Sequence, residues 1–446
     1  MRVHVTVVVL ALFLLAPAAG EAAVSFRQIQ QAFPPPVHDL ATGDLLPGNG
    51  AEVAVGTNGG LALHYNDGTG LMASGALYSG DPVKALAIGD LNGDGLADVV
   101  VGTDPGGGVG ALNSMVSLGD GRFRVVAGGP LTAPPAKIRL ADVDRDGDPD
   151  AVVAVPGASP ELDIAFNDGT GKFTSLTTHT LADASTTEAL AVGDVDGDGN
   201  PDAAMIGSTK YTAFTGSGTD LVPNPSTSLL PNVAPADLAA ADLDGDGILD
   251  LAWAGGGGHY GDFLSSNSAP FWDGNTVLIS PNVLAGSAAA LARTGTPEMP
   301  DLTVYAESGA LQWTNGILAP TTIDANGATL LATADFNRDG VLDFVAGGGA
   351  QGLAIWIDSA IASPDHGSLN FGTQAQATLS AGQTVTFTNT GQGVLHPRSL
   401  TFTGANPDDF LLADDSCTGA DLQTNETCSV RVKFAPQAGG VRSAAC

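Results

Sequence analysis

Apolar residues along this chain come in short runs, and pairs of runs bracket loops dense in aspartate. Lys84-Ala-Leu-Ala-Ile leads into one such loop and Val99-Val-Val leads out of it; Ala189-Leu-Ala-Val and Ala203-Ala-Met-Ile bracket another. Runs of this length, bounded by Gly and Asp, predict buried strands. The predicted unit is therefore strand, loop, strand. A Gly-rich connection follows, at residues 102–108 or 254–258, and then a third strand. Next comes a tight turn such as Asn66-Asp67-Gly68-Thr69-Gly70 or Asn167-Asp168-Gly169-Thr170-Gly171, and a fourth strand that opens near Phe123 or Phe173. Asn, Asp and Gly suit such turns because they tolerate positive φ.

The loop itself carries the chemistry. In Asp194-Val-Asp196-Gly-Asp198-Gly199-Asn-Pro-Asp202, carboxylates fall at positions 1, 3, 5 and 9, with glycine at 6. Anions this close repel unless a cation sits among them, and hard oxygen ligands at this density suit Ca²⁺. The pattern recurs at Asp90, Asn92, Asp94, Asp98; at Asp142, Asp144, Asp146, Asp150; at Asp242, Asp244, Asp246, Asp250; and at Asp335, Asn337, Asp339, Asp343. An EF-hand is excluded, because position 12 is Val101, Val153, Met205, Trp253 or Ala346 rather than Glu, and strands replace the flanking helices. Decayed copies stand at Asp44 and before Asp301, and neither is expected to bind metal. Together they make seven repeats of about 42 to 52 residues, the period of a four-stranded propeller blade. The last repeat lacks a fourth strand. Ser25-Phe26-Arg27 matches the fourth-strand segment Arg122-Phe123-Arg124, so the N-terminal segment is expected to complete it and leave no open edge.

Composition sharpens this picture. The chain has 446 residues, 48 acidic against 16 basic, and a net charge of −32. Nineteen of the Asp lie in the five intact loops, so about five Ca²⁺ would offset about ten charges. No Lys/Arg cluster exists, which disfavours nucleic acid as a partner. Sixty glycines and few aromatics suit an all-β, turn-rich chain. Residues 1–22 read as a signal peptide: Arg2, an apolar run from Val5 to Leu15, then small residues. No later stretch reads as a transmembrane segment. The chain is thus expected to be secreted or displayed at a cell surface.

The Asp-x-Asp-x-Asp-Gly loops between strands, with Asn-Asp-Gly-Thr-Gly turns at this period, resemble the FG-GAP or VCBS repeat of integrin α subunits and bacterial secreted proteins. The resemblance covers about residues 24–360 and implies a seven-bladed, calcium-looped β-propeller. It implies side-chain ligands at positions 1, 3, 5 and 9. It also implies backbone carbonyl ligands at position 7, here Leu96, Asp148, Asn200, Ile248 and Val341. From residue 361 the loops stop, and short alternating strands predict an immunoglobulin-like β-sandwich over 361–446. The same residues resemble the choice-of-anchor (Hydin-like) domain, whose chain continues beyond the strand in which this one ends, so a truncated domain is expected. Cys417 and Cys428 suit a disulfide in a secreted chain.

Enzyme signatures such as GxSxG, HExxH, a P-loop or CxxC are absent from the sequence, and no catalytic residue or organic cofactor is expected. One aromatic group stands out: Trp253, His259, Tyr260, Phe263, Phe271 and Trp272, around the Gly-rich connection of the fifth repeat. Rings at a loop stack on sugars or anchor a protein, whereas Trp253 and Trp272 as packed strand residues is the plainer reading. The expected function is a binding or adhesion module for an extracellular protein or glycan. The alternatives are a polysaccharide-active, lyase-like propeller and a structural spacer of a surface assembly.

Overall fold

The structure, a computed structural model, describes residues 3–8, 26–31, 36–48, 50–68, 72–181, 189–206, 211–223, 235–241, 249–255, 259–263, 276–277, 286–292, 302–307, 310–314, 321–324, 330–338, 343–349, 352–358, 360, 362–390, 395, 397, 399–423 and 425–444. It divides into two compact units, one formed by Gln28–Arg338 with Leu342–Ile357, the other by Met1–Arg27, Asp339–Val341 and Asp358–Cys446.

In the larger unit, seven four-stranded antiparallel sheets follow one another among the described residues. Their first strands are Val37–Gly43, Val83–Gly89, Lys137–Ala141, Ala189–Gly193, Pro235–Ala241, Gly286–Ala292 and Leu330–Ala334. Six sheets use four consecutive strands. In the seventh, Phe26–Gln31 supplies the outer strand and pairs with Gly352–Asp358. Each first strand lies against the first strand of the next sheet, and that of the seventh lies against that of the first.

Small residues make this approach feasible. A Cβ on Gly43 would come within 2.3 Å of Ile88 Cγ2 in the next sheet, and one on Gly193 within 2.3 Å of Leu249 Cδ1. Both glycines end a first strand, where the neighbour's side chain occupies the space. Among the described residues of this unit, the apolar cores lie between neighbouring sheets. Leu91, Val100 and Leu112 of the second sheet pack with Ile138, Val153 and Phe173 of the third. Val143, Val152 and Ile164 of the third pack with Leu190, Met205 and Phe214 of the fourth. Strands buried on both faces in this way read as continuous apolar runs, which explains Val99-Val-Val.

The smaller unit holds a four-stranded sheet in the order Ala362–Pro364, Gln383–Asn389, Thr427–Phe434, Phe410–Asp415. Val3–Val8, within the segment expected to be a leader, pairs antiparallel with Ser368–Gln374. Leu369, Val385, Phe410, Val430, Val432 and Phe434 form the core, with the Phe410 and Phe434 rings stacked at 5.1 Å. Cys417 and Cys428 are joined, Cα to Cα 5.0 Å. Residues 441–444, expected to lie in a strand, carry no ladder pairing. Asn406 holds them through its N–H to the Ser443 carbonyl (2.9 Å) and its Oδ1, which accepts from the Ser443 N–H (3.1 Å). Arg442 Nε reaches the buried Asp409 carboxylate at 2.5 Å.

Candidate metal centre

Register sets the loops. The position 9 residue opens the second strand of its sheet, opposite the last residue of the first: Asp98 faces Gly89, Asp150 faces Ala141, Asp202 faces Gly193, and Asp343 faces Ala334. These four carboxylates are buried. In the first three described loops each uses both oxygens on backbone N–H groups. Asp98 accepts from Leu91 (3.0 Å) and Ser117 (2.7 Å), Asp150 from Val143 (3.0 Å) and Asn167 (2.9 Å), and Asp202 from Val195 (3.0 Å) and Gly216 (2.8 Å). Asp343 likewise accepts from Phe336 at 2.8 Å. One donor is the loop's position 2 and the other is the far end of the third strand. The carboxylate thus pins the loop to its own sheet, a role the sequence pattern did not reveal. Burial pushes these acids up, Asp98 and Asp150 to about 6 and Asp202 to about 7, against the lowering by their backbone donors.

Positions 1 to 6 form a ladder of turns. Asp194 takes the N–H groups of Gly197 (2.8 Å) and Gly199 (2.9 Å), Asp196 that of Asp198 (3.0 Å), and Asp198 that of Asn200 (2.7 Å). Asp90, Asn92 and Asp94 repeat this with Gly95, Asp94 and Leu96, and Asp142, Asp144 and Asp146 with Gly147, Asp146 and Asp148. The position 6 glycines Gly95, Gly147 and Gly199 have φ of 83°, 98° and 84°. Position 4 is also left-handed, at Gly93, Gly197, Arg145 and Arg338, with φ of 62° at both arginines. Each arginine reaches into the next sheet's loop: Arg145 Nη2 donates to the Gly199 carbonyl (3.1 Å) and Arg338 Nη1 to that of Gly48 (2.7 Å). Glycine at position 4 of three intact loops was the available signal for this conformation.

The donor set fits a hard cation. Single oxygens of Asp142, Asp144 and Asp146 lie within 4.8 Å of one another, and so do those of Asp194, Asp196 and Asp202. Asp142 Oδ1 is buried without a hydrogen-bond partner. Burial and then the neighbouring carboxylates push Asp144 and Asp196 above the usual carboxylate range. A carboxylate oxygen has two lone-pair sites, so Asp202 keeps capacity for an ion beyond its backbone bonds.

The remaining expected ligands divide. Asp335 and Asn337 lie at the start of their loop, whereas Asp339 and Val341 fall outside the described residues. So do Asp242, Asp244, Asp246 and Ile248, while Asp250 opens a second strand. Trp253 pairs opposite Leu238 and Gly261, and His259, Tyr260 and Phe263 lie in the third strand of the fifth sheet. Phe271 and Trp272 are outside the described residues.

The first, decayed copy keeps the pin with a longer side chain. Glu52 faces Gly43, and its Oε2 accepts from Leu45 (2.8 Å) and Leu46 (3.1 Å). Burial raises Glu52 to about 7. A carboxyl group raised in the folded state contributes stability below about pH 4.5 that is lost as pH rises to about 7. Glu52→Gln should remove this slope: from pH 5 to 8 the variant gains about 1–3 kcal/mol on the parent chain, read by chemical denaturation at each pH. Parallel curves would contradict the assignment.

Staples tie three loops, those that begin at Asp44, Asp90 and Asp335, to the sheet after each. Asn167 Nδ2 donates to the Leu91 carbonyl (2.7 Å), Asn66 Nδ2 to that of Phe336 (2.6 Å), and Ser117 Oγ to that of Leu45 (3.3 Å). Every acceptor is position 2 of the preceding loop.

A family model described as FG-GAP-like repeat matches residues 90–153, 142–205 and 194–253. Each match runs from one aspartate loop through the next. Among solved structures, the chain is similar to BBS1N in its complex with ARL6DN, from a crystal soaked with lead. Identity is 12% over 75% of this chain and 95% of that one, with a TM-score of 0.51. It is also similar to an Agrocybe aegerita lectin described as specifically recognising non-reducing terminal N-acetylglucosamine, at 14% identity over 68% and 81% of the two chains, with a TM-score of 0.45. No curated protein matches. Three FG-GAP-like repeats therefore lie within residues 90–253, on an all-β scaffold that fits a propeller. No described helix is long and apolar enough to cross a membrane.

Proposed function

We propose that this chain is a secreted or surface-displayed binding module, a calcium-stabilised seven-bladed propeller followed by an immunoglobulin-like domain. The observation that carries the reading is the convergence of ionisable oxygens in repeated loops, with Asp142 Oδ1 buried and unpartnered. Five loops with intact ligand patterns give about five Ca²⁺ at extracellular-type affinity. The closed succession of first strands supports seven blades, with residues 1–22 as a removable leader and Phe26–Gln31 as the closing strand. Deleting residues 26–31 should expose the edge of Gly352–Asp358 and lower the melting temperature sharply; an unchanged melt would remove the closure.

The loops all join first to second strands, so they share one side of the ring. The partner, an extracellular protein or glycan, docks on the opposite side, at the His259 and Tyr260 end of the fifth sheet's third strand. Glycan and protein arrays with the calcium-loaded chain test this. Binding should be lost on substituting Tyr260 and kept in Asp198→Ala at temperatures where the fold survives. Binding that calcium chelator competes away from a still-folded chain would refute it.

A further inference from the structure

A polar site lies at the starts of the first three sheets, away from the aspartate loops. The pairing of Val37–Gly43 with Glu52–Thr57 slips between Val37 and Asp39, and that of Val83–Gly89 with Asp98–Gly106 slips between Val83 and Ala85. The extra residues in these bulges are His38 and Lys84, at matching positions of neighbouring sheets. A bulge re-aims the side chain it carries. Here the two side chains meet, Lys84 Nζ 3.3 Å from His38 Nε2.

Two donor groups facing each other need an acceptor between them. His38 Nε2 lies 2.6 Å from Asn58 Oδ1, and that short contact assigns its proton to Asn58. Lys84 then gains no acceptor from the ring. The nearby carboxylate does not supply one either. Asp39 is buried and engages Lys137 Nζ (3.2 Å) through Oδ1 and the Leu86 N–H (3.0 Å) through Oδ2. Lys137 thus crosses from the third sheet to the first, and Arg139 follows it two residues on, on the same side of that strand. In a chain of net charge −32, this is a concentration of cations on adjoining inner strands.

We propose that His38 and Lys84, backed by Lys137, form a binding site for a small oxyanion such as a carboxylate or sulfate group. The oxyanion takes the remaining Lys84 donors and accepts from His38 once the ring turns from Asn58. The site uses no calcium ligand, so it stands or falls independently of the metal reading.

The test is calorimetric titration of the full, calcium-loaded chain at constant ionic strength, with sodium sulfate and with sodium glucuronate, and glucose as the uncharged control. Saturable binding of either anion, without binding of glucose, is expected. Tighter binding of glucuronate identifies a sugar carboxylate as the source, and tighter binding of sulfate an inorganic or ester sulfate. Lys84→Met should weaken binding about tenfold or more, while Lys172→Met, at an exposed hairpin of the third sheet, leaves it unchanged. Should Lys84→Met fail to fold, Lys84→Gln keeps a polar head and should show the same loss. No heat with either anion, or equal affinity in the Lys84 and Lys172 variants, overturns the site.

Discussion

Asp150→Ala should cost about 2–5 kcal/mol of stability, and the loss should persist in excess chelator. The substitution strands two buried N–H groups, those of Val143 and Asn167, which have the Asp150 carboxylate as their acceptor. Asp202→Ala should behave alike through Val195 and Gly216. The exposed Asp146 offers the contrast. It holds only the Asp148 N–H and sits among like charges. Asp146→Ala should therefore destabilise the calcium-loaded chain yet leave the metal-free chain equal to or more stable than its parent, because one repelling charge is gone. Urea unfolding of the three variants with and without calcium reads both effects. If Asp150→Ala became harmless in chelator, the carboxylate would be a metal ligand and not a pin.

Calcium removal should have the second large effect. At about 1 mM calcium and extracellular-type affinity, each site contributes about 0.4–1.4 kcal/mol, so five contribute about 2–7 kcal/mol. The loss should spread beyond the loops. The position 2 carbonyls of Leu45, Leu91 and Phe336 accept from the following sheet, and Arg145 clasps the next loop. A loop that opens therefore loosens the seam between two sheets. The seam of the seventh and first sheets should resist best. There Arg338 bonds the Gly48 carbonyl and lies 3.9 Å from Asp44, bringing a fixed positive charge to the copy without metal ligands. Hydrogen exchange should show faster exchange at Asn167 and Gly216 than at Asn66 after chelation.

The strand–loop–strand unit was legible in the sequence because each strand is apolar on both faces and each loop is nearly pure Asp and Gly. The outer strand at Phe26–Gln31 was legible too, through its likeness to residues 122–124. The position 9 pin was hidden, because aspartate serves equally as a metal ligand and as an acceptor for backbone N–H groups. Only the fold brings Ser117 or Asn167 to it. Glu52 was obscured further by the longer side chain. The bulges at His38 and Lys84 left no trace, since one extra residue in an apolar run changes no composition.

Calcium stoichiometry on the purified full chain tests the central claim most directly. Native mass spectrometry or calorimetry should count about five Ca²⁺, falling by one in Asp142→Asn, which removes a charge from the oxygen that lacks a hydrogen-bond partner. A count near zero on a folded chain, or no loss in Asp142→Asn, would contradict the account.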